Sequence, residues 1–261
     1  MRKLLLLFSV LLLTYALKAQ ENAWKPIHET ELSNSVFQNK LKPASFKAFE
    51  LQALLMKNML DRAPMETAVS AARSTQIISI PNAEGVMERY TIVQSPVMDA
   101  ALSAKYPGIY SFTGKGVDRP NSIIRFSMGL GEFQGMVLST DRPTFYIDLL
   151  DRKNNQYIVY ARPDMYNYKA EFKCLTADNR SANQTDNSTG TENANDGTLR
   201  TYRMAMASTG EFSQFWLNGT EISDAERKAK VLVALNNAMT RTNGIYERDF
   251  GIRMVLVSNS D

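Results

Sequence analysis

Histidine and cysteine build many metal and nucleophilic sites, and each occurs once in the 261 residues, as His28 and Cys174. His28-Glu29 begins like the zinc-protease motif His-Glu-x-x-His. Leu32 stands where the second histidine would complete the metal-binding pair one helical turn later. A single histidine also excludes a site built from two or three histidines of this chain. We therefore interpret His28 as a surface residue without a catalytic role.

Cys174 is the residue with latent reactivity. A single cysteine excludes a disulfide within the chain. Its thiolate would be a good zinc ligand, so Cys174 is a candidate metal contact. The alternative is a small hydrophobic side chain buried at a strand end, and the residues leave both interpretations open.

The acidic and glycine-rich segments do not supply a further site. Asp148, Asp151 and Asp164 lack the spacing of a metal-binding loop. Gly129-Leu130-Gly131 is typical of a turn and not of a phosphate-binding loop. We predict that this chain alone holds no catalytic residue, cofactor or metal.

The N-terminus predicts export. Arg2 and Lys3 precede an apolar run over residues 4–17, and Ala19-Gln20 offers a small residue at a cleavage point. The run is shorter than the about 20 residues that a membrane span needs. We predict a signal peptide over residues 1–19 and a secreted product without a membrane span.

Composition indicates a globular protein, with 44% hydrophobic and 22% charged residues. The net charge of +3 falls to zero when the signal is removed, so charge gives no support for a nucleic-acid partner.

The predicted elements up to residue 175 form a β-rich domain, residues 20–175. We predict a helix over residues 44–63, ended by Pro64, and a helix-and-loop connection over Ser95–Gly116. Short β-branched and aromatic runs separated by turn signals predict an antiparallel meander. Its strands are Thr75–Ile80, Val86–Val93, Ser122–Met128, Phe133–Ser139, Thr144–Leu149 and Gln156–Ala161, of which the last is covered on both faces.

A polar segment and a second set of elements follow. The 22 residues of Thr176–Gly197 contain no large apolar side chain, which is typical of a flexible linker and a processing zone. Residues 198–261 then predict a strand over Leu199–Ala207, a long helix opened by a Ser223–Glu226 capping box and ended by Gly251, and a strand over Ile252–Val257. The apolar stripe that we expect the helix to bury is Val231, Leu235, Ala238, Thr242, Ile245 and Tyr246. A strand–helix–strand unit this small buries little surface, so we expect it to be the N-terminal portion of a truncated domain.

Two stretches after the linker, Leu199–Phe212 and Asn236–Val257, resemble the start of the catalytic domain of bacterial secreted reprolysin-like (adamalysin or ADAM-type, metzincin) zinc metalloproteases. The upstream part is similar to the propeptides of that family at Ser95–Met98, Ala104–Gly108, Ser111–Gly114, Ile124–Phe126 and Phe145–Asp148. The resemblance implies an α+β chain, with a β-rich antiparallel propeptide followed by the opening strand–helix–strand of a metzincin-like catalytic domain.

The resemblance also implies the partners. Zinc would be bound by the full-length protein and not by this chain, because the His-Glu-x-x-His-x-x-Gly-x-x-His motif of the family is absent from the sequence. Cys174 would be an inhibitory zinc ligand, as family propeptides often silence the enzyme with a cysteine. The propeptide would bind its own downstream catalytic domain, and the full-length enzyme would act on protein substrates. The alternatives are an exported inhibitor or chaperone-like binding module and a cell-surface structural protein, both without catalysis.

Overall fold

A computed structural model describes residues 22–32, 37, 42–165, 197–217 and 219–258. The predicted signal peptide, Cys174 and all but the last residue of the predicted linker lie outside the described residues. No helix among the described residues is long and apolar enough to cross a membrane.

A nine-stranded antiparallel sheet dominates this mixed α+β structure. Its spatial order is β1-β2-β9-β8-β7-β6-β5-β4-β3, so every neighbouring pair from β3 to β9 is also consecutive in sequence. The strands are β1 (Trp24–Ile27), β2 (Lys47–Leu51), β3 (Ile77–Pro81), β4 (Met87–Gln94), β5 (Ile109–Gly116), β6 (Ser122–Gly129), β7 (Glu132–Ser139), β8 (Phe145–Asp151) and β9 (Gln156–Ala161).

The sheet curls around one hydrophobic core, to which all nine strands contribute buried side chains. The rings of Phe112, Phe126 and Phe133 stack in sequence across three strands, with centroids 4.9 and 5.1 Å apart. Trp24 of β1 meets Phe133 edge-on at 5.3 Å. Helix α1 (Ala53–Leu60) adds Met56, Met59 and Leu60 to the same cluster. Burial of these apolar surfaces is the main term that stabilises the sheet.

A second cluster covers the outer face at β2, β8 and β9. Ile158 and Tyr160 of β9 belong to it, while Tyr157 and Val159 belong to the inner core. The prediction that this strand is covered on both faces is therefore confirmed.

Two predicted elements are wrong. Residues 44–63 do not form one helix, because Lys47–Leu51 is strand β2 and only Ala53–Leu60 is helical. The run is apolar on both faces, so its pairing with β1 and β9 overrides the weak helical periodicity. The predicted connection Ser95–Gly116 contains a short helix, α2 (Ala100–Lys105), but also strand β5. Gly114 lies inside β5 and does not interrupt it. The neighbouring strand lies so close that a Cβ at this position would be 2.7 Å from Ile124 Cγ2.

The C-terminal elements follow the predicted order. Strands β10 (Arg200–Met204) and β11 (Ile252–Leu256) pair in parallel, after the short helix α3 (Gly210–Trp216) and the 27-residue helix α4 (Asp224–Phe250). The Ser223 hydroxyl accepts a hydrogen bond from the Glu226 amide at 3.2 Å, and Gly251 ends the helix at φ 63°. Both predicted caps are confirmed, although the Glu226 carboxylate reaches the amide of Ile222 and not that of Ser223.

The buried face of α4 is not the predicted one. Ile245 and Tyr246 of the expected stripe are 37% and 40% exposed. Four of the eight buried residues of the helix are instead polar, among them Asn236 and Asn243, which are 1% and 0% exposed. The expectation was wrong because the part of the sheet that faces the middle of α4 presents the polar side chains of Ser111, Arg125 and Ser127.

Candidate functional interface

Helix α4 lies on the outer face of β5, β6 and β7, and joins the C-terminal elements to the sheet. From Asn236 onward, six of its residues contact the sheet, at spacings that keep them on one side of the helix. We call these residues, together with the groups that they contact, the docking seam: Asn236, Asn237, Thr240, Arg241, Gly244 and Glu247. Asn243 instead exchanges two hydrogen bonds with the backbone of Met254 in β11.

Neutral hydrogen bonds form the N-terminal half of the seam. The Ser111 hydroxyl of β5 lies 3.1 Å from the Asn236 amide nitrogen and 2.9 Å from the Thr240 hydroxyl. The Ser127 hydroxyl of β6 donates to the side-chain oxygen Oδ1 of Asn237. All five side chains are buried, so loss of any partner would leave a desolvated polar atom without a hydrogen bond.

Arg241 contacts both backbone and side-chain oxygens of the sheet. Its guanidinium donates to the carbonyls of Gly135 and Ile147 at 3.1 and 3.2 Å, and pairs with the Asp148 carboxylate. Burial acts to lower the pKa of Arg241, but the charge and hydrogen bond of Asp148, together with Tyr160 and Tyr146, outweigh it and raise the pKa above its ordinary value. Tyr160 donates to the same carboxylate at 2.6 Å. Burial, with Asp148 beside it, raises the pKa of Tyr160.

Four charged groups form the C-terminal half. Arg125 of β6 donates to Glu247 of α4 and, at 3.2 Å, to the Ser95 hydroxyl. Arg253 of β11 holds both oxygens of Glu247, at 2.7 and 3.1 Å, and donates to Glu66 at 2.6 Å. Burial lowers the pKa of Arg125, and the charge of Glu247 opposes that shift. The two positive charges of the arginines are thus balanced by the two negative charges of the glutamates in a largely desolvated cluster.

Two glycines allow the close approach of helix and sheet. A Cβ on Gly244 of α4 would lie 2.9 Å from both Arg125 Cγ and Met136 Cε. On the other partner, a Cβ on Gly129 of β6 would lie 2.8 Å from a methyl group of Val233. These distances are shorter than carbon atoms tolerate, so each surface is shaped to the other.

An apolar cluster completes the contact at the α2 end. Leu256 of β11 donates its amide to the Val97 carbonyl at 2.7 Å, and its carbonyl accepts from the Asp99 amide at 2.8 Å. The segment before α2 therefore covers part of the edge of β11. Side chains from both parts of the chain form the cluster, namely Val97, Met98, Leu102, Ile109, Val233, Met239, Met254 and Leu256.

The structure shows where His28, Asp151 and Asp164, which the sequence analysis considered as site residues, are placed. His28 is exposed and precedes a short 3-10 helix. Asp151 accepts bonds within its own turn, and Asp164 accepts from the Ala161 amide at 3.2 Å. The predicted turn at Gly129–Gly131 is confirmed, with Leu130 at φ 52°.

No group of three His, Cys, Asp or Glu side chains within the described parts of the chain is placed to hold a metal. The described residues do not supply the three or four protein ligands of a zinc site.

Sequence reasoning missed the docking seam. Its signal is a polar row, Asn236, Asn237, Thr240 and Glu247, at offsets of 0, 1, 4 and 11 residues. That spacing matches one helix face, but a polar face is normally taken as solvent-exposed.

No family model, curated protein or solved structure matches this chain.

Proposed function

We propose that the chain is the N-terminal portion of a secreted zinc metalloendopeptidase precursor. In this proposal residues 1–19 are the signal, residues 20–175 are a β-rich propeptide, and residues 198–261 open a metzincin-like catalytic domain. The docking seam carries the proposal, because it joins the two segments through largely buried, charge-matched contacts between residues that are 93 to 187 positions apart in the sequence. A propeptide that binds its own catalytic domain needs a contact of this kind.

The sheet supplies binding and not chemistry. It holds one face of α4 and, through Val97 and Asp99, covers part of the edge of β11. An uncovered strand edge presents unpaired backbone groups to other chains. The proposed propeptide thus protects the first elements of the catalytic domain while it keeps the precursor inactive.

In this proposal the precursor matures by proteolytic cleavage in the polar segment. A cut within residues 176–197 would remove the covalent link, and zinc would be held elsewhere in the full-length protein. Cys174 is the proposed inhibitory ligand of that zinc, with steric masking by the sheet as the competing source of latency.

The test uses the product of the complete reading frame, purified from the culture medium. We expect the uncut precursor to hydrolyse a fluorogenic peptide only at background rate. A cut within residues 176–197 should release activity that 1,10-phenanthroline abolishes. A reading frame with no three-histidine zinc motif after Asp261 would refute the proposal, and inhibition of a separate protease by the chain would then favour an exported inhibitor or chaperone-like module.

A further inference from the structure

The charged half of the docking seam is divided evenly between the two parts of the chain. The sheet side contributes Arg125 of β6 and Glu66 of the turn that follows α1, and the C-terminal side contributes Glu247 and Arg253. Each side therefore carries one positive and one negative group. Two ion pairs of this half cross the contact, Arg125 with Glu247 and Arg253 with Glu66, and Arg253 also links the two carboxylates.

This pattern fits only one position of α4 on the sheet. A slip of one helical turn, about 5.4 Å, would bring Asn243 and Gly244, or Phe250 and Gly251, to the place of Glu247. None of these residues carries a negative charge. Arg125, whose side chain is 8% exposed, would then be buried without a counter-charge, which is strongly unfavourable.

The rest of the seam tolerates separation better than an apolar interface would. Asn236, Asn237 and Thr240 are buried against the sheet, but their side chains regain hydrogen bonds from water once exposed. Interfaces between domains that move apart are polar in the same way.

We propose that Glu66, Arg125, Glu247 and Arg253 form a charge latch that selects the docked position of α4 and keeps the two parts bound after the chain is cut between them. The latch gives the sheet its specificity for this helix, so that the separated sheet would bind the α4 of a second copy. The inference rests on the proposed function, in which such a cut occurs. Its test does not need peptidase activity, so the two can fail independently.

The experiment uses the full chain with the recognition site of a sequence-specific protease inserted after Asn187 and an affinity tag after Gln20. The chain is immobilised by the tag and cut in place, and the loss of the C-terminal part is followed with time. We expect the cut wild-type pair to stay bound. Glu247→Gln should speed dissociation at least about 30-fold, as for other truncated buried charge pairs.

Asp249→Asn is the matched control, because it removes the same charge from the same helix at an exposed pair with Arg248. Glu66→Gln, at the most exposed end of the latch, should give an intermediate rate and serves if Glu247→Gln fails to fold by circular dichroism. A second, differently tagged cut copy should exchange its C-terminal part with the wild type only as slowly as the wild-type pair dissociates, and at least about 30-fold faster when both copies carry Glu247→Gln. Immediate separation of the cut wild type would overturn the proposal, as would equal dissociation rates for Glu247→Gln and Asp249→Asn.

Discussion

The close approach at Gly244 can be tested with an alanine substitution, because helix propensity and packing then change the free energy of unfolding in opposite directions. Gly244 is the only glycine inside α4, and glycine in a helix interior costs about 1 kcal/mol relative to alanine. Gly244→Ala would therefore stabilise the helix in isolation. In the docked structure the new methyl group would lie 2.9 Å from Arg125 Cγ and Met136 Cε.

Arg125 cannot easily yield, because Glu247 and Ser95 hold its guanidinium. Met136 is flexible but is 1% exposed and surrounded by other atoms. Overpacking of this kind costs about 1–3 kcal/mol. We expect the packing cost to exceed the propensity gain, with a net loss of about 1 kcal/mol in the free energy of unfolding.

Urea unfolding of the full chain, followed by circular dichroism, measures this difference. Ala238→Gly, at an exposed position of the same helix, calibrates propensity alone and should cost about 1 kcal/mol. If Gly244→Ala raised the stability by that same amount, α4 would not be closely packed on the sheet, and the docked geometry would be wrong.

Three further predictions concern a cap, a buried carboxylate and latency. Ser223→Ala removes the acceptor at the N-terminus of α4 and should cost about 1 kcal/mol in the same urea assay. Burial acts to raise the pKa of Glu88, but bonds from Arg142, Asn82 and Tyr90 outweigh it and hold the pKa below its ordinary value of 4.5. The Glu88 carboxylate therefore stabilises the fold fully above about pH 4.5, and this contribution is lost as the pH falls through the lowered pKa. Glu88→Gln should lower the urea midpoint at pH 7 more than at pH 3. Equal shifts at the two pH values would contradict this. If Cys174 is an inhibitory ligand, Cys174→Ser should give the uncut full-length precursor activity on a peptide substrate, whereas a rate equal to that of the wild type would leave masking by the sheet as the mechanism.

The strands that sequence predicted well are those that local signals define. Turn residues such as Asn82–Gly85 and Lys153–Asn155 separate β-branched and aromatic runs, and each run pairs with its neighbour in sequence. The caps at Ser223 and Gly251 are equally local, because side chain and backbone lie within one helical turn. Such features need no knowledge of the rest of the chain.

The features that sequence missed depend on distant partners. β2 pairs with β9, about a hundred residues later, and that pairing decides its conformation. The docking seam was missed for the same reason. The hydrophobic pattern of α4 points to Val231 and Leu235, but the inward face is set by Ser111, Arg125 and Ser127 on the sheet.

The order of the strands has a consequence for the rate at which the sheet forms. From β3 to β9 each new strand pairs with the one just before it, so each step closes only a short loop and is entropically cheap. The pairing of β2 with β9 in the unfolded chain would instead close a loop of about a hundred residues, whose length-dependent entropy alone is about 4 kcal/mol. The seven-stranded meander should therefore form first, and its outer face, with Ser111 and Ser127 already in place, would be ready for α4 before β1 and β2 complete the sheet.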